Sequence, residues 1–238
     1  MDNMLIDYLR SGKAWVLVGS GPSIEMGYPT WQQLALYAIE AITLAKPGHK
    51  LSSLNDAMSR GHYPAVFKEA KTILGGPYLL SYLQKSFKSS GQGKIYELIA
   101  RWPVPVFLTT NYDDEIQGYL SKLGESYVSY SNSQDHFSYL LPDLKGGIFK
   151  LHGDLRSEEG LILDSTQYTE IQNAEKWNYW RTKLTSVFQM NRVVVIGHSL
   201  NDPNIIHLLD AAKKGAGVLQ PICWIAPDIN PSGAKKWC

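Results

Sequence analysis

Cysteine is nearly missing from this sequence. Only Cys223 and Cys238 occur in 238 residues, and no Cys-x-x-Cys pair exists. Neither a zinc ribbon nor a disulfide framework can be built from so few thiols. An excess of one charge is missing too, with Lys+Arg 23 against Asp+Glu 22 and a formal charge of +1. Spread evenly along the chain, that balance gives no case for nucleic acid as a direct partner. The lysine pairs at 213–214 and 235–236 are short and read as solvated helix faces. No window holds the ~18 apolar residues of a membrane span. The start, MDNMLIDYLRSGKAW, lacks the basic opening and apolar block of a signal peptide. Internal repeats and low-complexity tracts are absent as well. These absences describe a soluble protein of a reducing compartment, most simply cytoplasmic, with no membrane partner.

What is present is apolar runs alternating with helical patterns. Strands are expected at 14–18 (AWVLV), 104–109, near 127–129, at 147–151 (GIFKL), 192–196 (RVVVI) and 221–226 (PICWIA), where Cys223 reads as a buried small hydrophobe. From Thr30 onward, Trp31, Leu34, Ala35, Ala38, Ile39 and Ile42 recur at helical spacing. Further helices are expected at 3–10, 113–122, 165–172, 176–190 and 203–212, with LILD (161–164) as a short extended piece. Residues 46–102 carry helical fragments broken by KPGHK, RGHYP, LGGPY and SSGQGK and show no strand signal, so they read as a helical insertion. The pattern predicts an α/β fold: one domain over 1–238 with a Rossmann-like, doubly wound parallel sheet, a helical insertion subdomain and no zinc module. The ending GAKKWC reads as the first turn of a helix cut short, which predicts a C-terminal continuation.

Polar or glycine-rich turns follow every strong strand: Gly19-Ser20-Gly21, Thr110-Asn111, His152-Gly153-Asp154 and Gly197-His198-Ser199. In a parallel sheet all four converge on one edge, where such folds bind ligands. GSGPS suits an anion, because glycines admit close backbone approach and N–H groups at a helix start point at phosphate oxygens. It is not the G-x-G-x-x-G dinucleotide fingerprint, since Ile24 stands where the third glycine belongs. The stretch Thr109-Thr110-Asn111-Tyr112-Asp113-Asp114 holds more donors and acceptors than a helix cap needs. Asn111 can donate and accept at once. His152 can act as a general base near neutral pH. His49, His62, His136 and His207 read as structural or solvated, and His198 with Asp202 lacks the third partner of a metal site.

In order and spacing, GSGPSIEMGYPTW (19–31), TTNYD (109–113), KLHGD (150–154) and GHSLNDPNI (197–205) resemble the motifs of the sirtuin superfamily. The departures are as informative. The four-cysteine zinc module has no counterpart, no Phe-Gly-Glu follows His152, and Thr30-Trp31-Gln32 stands for Asp-Phe-Arg. Those losses keep the NAD site and remove the acyl-peptide site. The pattern is closest to the sirtuin-like NAD hydrolases of bacterial anti-phage defence, such as the Thoeris-type effectors. The resemblance implies that Gly19, Ser20, Gly21 and Ser23 hold the pyrophosphate. It places Asn111 and Asp113 at the nicotinamide ribose and carboxamide, with His152 on that ribose as base or polarising group. Ser199 and Asn201 fall on the adenosine side, and Thr110 and Gly197 complete the NAD-contacting turns, Thr110 replacing a glutamine by the leaving group. A homo-oligomer is implied, with 46–102 as a candidate assembly surface, and a partner or appended sensor domain.

The reaction expected is hydrolysis of NAD to nicotinamide and ADP-ribose through an oxocarbenium-like transition state, with NAD as substrate and no metal. Two other classes compete. VVVIGHSLND resembles the nucleophile elbow of α/β hydrolases, which would make Ser199 an esterase nucleophile, although Asn201 replaces the final glycine. A non-catalytic NAD or ADP-ribose sensor is the third.

Overall fold

The structure, a computed structural model, describes residues 3–89, 91–141, 143–216 and 220–225. Six strands form one sheet: β1 (Trp15–Val18), β2 (Val106–Thr109), β3 (Val128–Tyr130), β4 (Gly147–Lys150), β5 (Val193–Ile196) and β6 (Cys223–Ile225). Their order is β3-β4-β2-β1-β5-β6, parallel at every pairing. The fold is therefore the expected α/β, Rossmann-like arrangement. GAKKWC lies outside the described residues.

Both faces of the sheet are covered, which is why the strands read as unbroken apolar runs. Trp15, Leu17, Val106, Leu108, Phe149, Val193 and Val195 point to one core, and Val16, Val18, Phe107, Ile148, Val194 and Ile196 to the other. That is the two-residue period of a strand. On the first face pack α9 (Gln134–Phe137), α10 (Ser165–Asn173), α11 (Asn178–Met190) and α12 (Pro203–Ala216), with a 3₁₀ turn, Glu175–Trp177, between α10 and α11. On the second face pack α1 (Asn3–Arg10), α7 (Lys94–Ile99) and α8 (Glu115–Lys122). Helix α2 (Gly21–Glu25) follows β1 directly.

A third core holds α3 (Trp31–Ala45), α4 (Ser52–Ser59), α5 (Tyr63–Leu74) and α6 (Gly76–Ser86) together. Thr30 starts α3 with a capping box: its hydroxyl accepts from Gln33 N while the Gln33 side chain accepts from Thr30 N. Tyr112, Leu155, Leu161 and Leu163 reach this core from the turns beyond the strands. Ile162 points the opposite way, into the first face. The 161–163 segment is thus an extended seam with alternate residues in two cores, and the helical layer roofs the carboxyl ends of the sheet.

Register fixes the level of those ends. Val18 pairs with Thr109 and with Ile196, and Thr109 pairs with Lys150. The four strands therefore stop side by side, and the next residue of each begins a polar turn. Strands β2, β3 and β4 build outward on one side of β1, β5 and β6 on the other. The reversal of direction lies between β1 and β5, where open α/β sheets leave a ligand crevice.

Candidate active site

At that crevice two backbones meet. A Cβ on Gly19 would lie 2.5 Å from the His198 Cα, and one on Gly21 would lie 2.8 Å from the Gly197 Cα. Gly197 itself has φ +63° and faces Pro22. These glycines let the β1 and β5 turns pack backbone to backbone. Gly21 N donates to Gly197 O at 2.9 Å, which joins the turns directly.

A cleft of about 670 Å³ opens beside this junction, a size usual for a small-molecule site. Ser20, Thr110, Asn111, His152, His198, Ser199 and Asn201 line it from the strand ends. Trp31 and the 61–65 segment close it from the helical layer. All four polar turns thus contribute. Ser23 and Asp113 instead border a side pocket of about 40 Å³, shared with Ser20, Trp31, Thr110 and Asn111. Gly19, Gly21 and Gly197 form the junction rather than the lining. A larger groove of about 740 Å³ between α5 and α10 mixes lysines with carboxylates and gathers none of these turns.

Asn111 is 7% exposed, and its amide orientation follows from its neighbours. Nδ2 donates to Gly19 O at 2.7 Å, Ser23 Oγ at 3.0 Å and the Tyr96 hydroxyl at 3.1 Å. Ser23 Oγ in turn donates to Asp113 Oδ2 at 2.7 Å, and the Tyr96 hydroxyl donates to Asp113 Oδ1 at 3.1 Å. Gly19 O can only accept, and both hydroxyl protons are spent on Asp113. The amide nitrogen must therefore face inward, leaving Oδ1 as the available acceptor. Burial pushes the Asp113 carboxyl up, opposed by hydrogen bonds from Ser23, Glu115 N and Tyr96. Burial, and then Asp113, push the Tyr96 hydroxyl well up and keep it a donor. Thr109 completes the support: its hydroxyl donates to Val18 O at 2.9 Å and accepts Asn111 N at 3.0 Å.

The two aspartates at this turn do less capping than their place in the sequence suggests. Helix α8 begins at Glu115, two residues after the expected start. Asp114, at its N-cap, makes no side-chain cap. Asp113 Oδ1 takes Glu115 N at 3.1 Å while serving the Asn111 relay. Asp114 Oδ1 pairs with the buried Lys150 Nζ at 2.9 Å. The same ammonium reaches Asp154 Oδ2 at 2.7 Å and Tyr112 O at 2.8 Å. Lys150 thereby ties the Asn111 turn to the His152 turn. Burial raises Asp154, but Arg156 and Lys150 outweigh it and hold the carboxyl at about 2.

His152 is 1% exposed, and neither ring nitrogen has a hydrogen-bond partner among the described residues. Its Nε2 lies 3.5 Å from Asp202 Oδ2. The Tyr168 ring sits edge-on to the imidazole, centroids 5.6 Å apart. His198 is buried with Nδ1 accepting Leu200 N at 2.9 Å, a contact set by Leu200 at φ +53°. Burial lowers His198 to about 4, partly offset by Asp202. The ring is neutral at pH 7, and its hydrogen is on Nε2.

Ser199 is exposed, its Oγ accepts Asn201 N at 3.4 Å, and no imidazole bonds it among the described residues. Nothing activates it as a nucleophile. Among the described residues no group of three His, Cys, Asp or Glu side chains could hold a metal ion, and no helix is long and apolar enough to cross a membrane.

Sequence reasoning missed Asp202 and Tyr168 as site residues; His62, read as structural or solvated, is exposed and borders the cleft. Asp202-Pro203 was a legible helix start. That its second oxygen faces His152 was not, because the contact joins residues fifty apart.

Among curated proteins, this chain is similar to NAD(+) hydrolase ThsA of Cytobacillus dafuensis, with 23% identity over 86% of this chain and 39% of that protein. It is 25% identical to the ThsA of Acinetobacter baumannii (strain 532279), over 90% of this chain and 42% of that one. For Bacillus cereus (strain MSX-D12) the figures are 24%, 84% and 40%. The chain thus spans about two fifths of the length of these relatives. The SIR2-like domain pattern matches residues 105–237, more than half of the chain and inclusive of the Asn111, His152 and Ser199 turns. The chain belongs to the SIR2-like domain family.

Proposed function

We propose that this chain is an NAD-cleaving domain that hydrolyses NAD to nicotinamide and ADP-ribose. The observation that carries this is the pairing, in one cleft, of an amide fixed with Oδ1 available and a buried imidazole without a hydrogen-bond partner among the described residues. The relatives named NAD(+) hydrolase support the same chemistry. Ser20 faces the pyrophosphate side, with Gly19, Gly21 and Ser23 shaping the turn that presents it; Thr110 and Asp113 flank the nicotinamide end, and Ser199 and Asn201, beside Gly197, the adenosine side.

The nicotinamide of NAD is already cationic, so its departure needs no strong acid. The C1′–N bond breaks with its electron pair going to the pyridine ring, which leaves neutral. A water oxygen bonds C1′, and its proton passes to His152 and then to solvent. Positive charge develops on the ribose as the leaving group departs. The negative end of the Asn111 amide dipole, held in place beforehand, favours that charge and orients a ribose hydroxyl or the water. A rigid, low-dielectric floor makes such a dipole count for more than it would in water.

The resemblance adds a biological output: depletion of the cytoplasmic NAD pool as an anti-phage response. It also adds a homo-oligomeric state, with the helical insertion at 46–102 as one assembly surface, and coupling to a partner or sensor domain.

Incubation of purified protein with NAD, followed by chromatography of free nicotinamide, tests the activity. Wild type is expected to release nicotinamide, and Asn111→Ala and His152→Ala to release it at least about 10²-fold more slowly. NAD bound in calorimetry but never cleaved would establish the sensor instead. Neither binding nor release would overturn the NAD site altogether.

A further inference from the structure

We propose that Asp202 is the positioning residue for His152: the carboxylate fixes which ring nitrogen carries the hydrogen and leaves the lone pair on Nδ1. The proposal rests on the cleft being the NAD-cleaving site.

Asp202 has a side chain only 11% exposed, at the start of α12. Its two oxygens do different things. Oδ1 accepts Asn204 N at 2.9 Å and Ile205 N at 3.1 Å, an N-cap that locks the side chain. Oδ2 accepts the Tyr168 hydroxyl at 2.9 Å and lies 3.5 Å from His152 Nε2. The cap therefore aims the second oxygen at the imidazole. At 3.5 Å this is a charge contact rather than a formed hydrogen bond. Catalytic contacts of this kind tighten when substrate fills the site.

The protonation logic is one-sided. Burial alone would raise the Asp202 carboxyl, but His152, Ile205 N and the Tyr168 hydroxyl outweigh it and hold the group well below the carboxylate range. An ionised carboxylate only accepts. The imidazole nitrogen facing it must carry hydrogen, so a neutral His152 keeps its lone pair on Nδ1. As water bonds C1′ and nicotinamide departs, the water proton moves to Nδ1. The resulting imidazolium is paired with Asp202 until solvent takes the proton. The groups around the pair from other elements are Tyr168 on α10, edge-on to the ring, His198 after β5, and Tyr112 after β2, which acts electrostatically on Asp202. Burial keeps both tyrosine hydroxyls protonated, and His198 is neutral. His62 and Tyr63 border the cleft from α5.

Asp202→Asn separates this from a structural role. Asparagine caps a helix about as well as aspartate, so Asn Oδ1 takes over Asn204 N and Ile205 N. Its Nδ2 then donates toward His152 Nε2 and drives the ring hydrogen to Nδ1. The expected result is a kcat about 10²–10⁴ lower, as for loss of a general base. KM should change by no more than about threefold, since no ground-state contact is lost. The melting temperature should fall only modestly, because the cap is kept while the Tyr168 hydroxyl loses its carboxylate acceptor. Nitrogen-15 NMR of the histidine rings, assigned against His152→Gln, should show the Nε2–H form in wild type and Nδ1–H in Asp202→Asn. Tyr168→Phe, which keeps the carboxylate, should keep the Nε2–H form. A wild-type Nδ1–H ring, or an Asp202→Asn variant with wild-type kcat, overturns the proposal. If wild type releases no nicotinamide, the proposed function fails, and the NMR result alone decides the pair.

Discussion

Asn111 and His152 stand in one cleft, at strand ends of equal level, yet they are held in opposite ways. The amide is over-determined: its nitrogen has three acceptors, two of them hydroxyls that pass their own protons to a buried carboxylate as the final acceptor. Among the described residues, the imidazole has a single carboxylate at ion-pair distance and no hydrogen-bond partner for either nitrogen. A group that must present a fixed dipole to a developing cation gains from being fully satisfied beforehand. A group that must gain and lose a proton cannot be saturated in both states. The contrast between the two turns is the chemical division of labour the site needs.

On the saturated side, the largest effect should come from breaking it at its end. Asn111→Ala removes the dipole and should lower kcat by about 10²–10³, the usual loss for one preorganised donor or acceptor. Nicotinamide release under saturating NAD measures it. Shortening the relay behind the amide should cost less. Ser23→Ala leaves Asn111 and Asp113 one partner short each, which should destabilise the fold by about 1–3 kcal/mol. Chemical denaturation reads that loss, and an unchanged midpoint would mean the relay is not what fixes the amide.

The two aspartates should also separate by pH. Asp113 titrates above its unfolded value, so in the folded state it takes up a proton while the unfolded chain remains ionised. Acidification through that window therefore favours the fold while it spoils the donor chain, and activity should fall before stability does. Asp202 titrates below its unfolded value, so its contribution is present above the ordinary carboxylate range and is lost as pH falls through its folded value. A pH–rate profile beside a pH–melting profile tests both signs. His198 gives a smaller effect on stability alone. Its folded value of about 4, against 6.5 unfolded, adds stability that is complete above pH 6.5 and is lost as pH falls toward 4, by up to about 3 kcal/mol. His198→Gln should flatten the melting profile there. Ser199→Ala should be the mildest of all, a change in KM of a few fold with kcat kept, because the hydroxyl touches no base among the described residues. Abolished activity would revive the nucleophile elbow.

Much of this was legible in the residues. The strand runs, their parallel sheet and the polar turns at one edge follow from apolar period and from where each run empties into polar residues. Asn111 and His152 stand out for the same reason. Elements without such a pattern were read less well. Helix α8 starts later than Asp113 suggests because both aspartates are diverted by partners far along the chain, Lys150 at β4 and Ser23 at α2. The glycines at 19 and 21 were assigned to phosphate approach, and the structure shows that they also admit the Gly197 turn. Asp202 carries its cap signal locally and its contact with His152 only through the fold.

The most direct measurement is product analysis by mass spectrometry after incubating the chain with NAD in water enriched in oxygen-18. The account predicts nicotinamide and ADP-ribose in equal amounts, with one heavy oxygen incorporated into the ADP-ribose. NAD recovered intact, or ADP-ribose formed without the label, would contradict it.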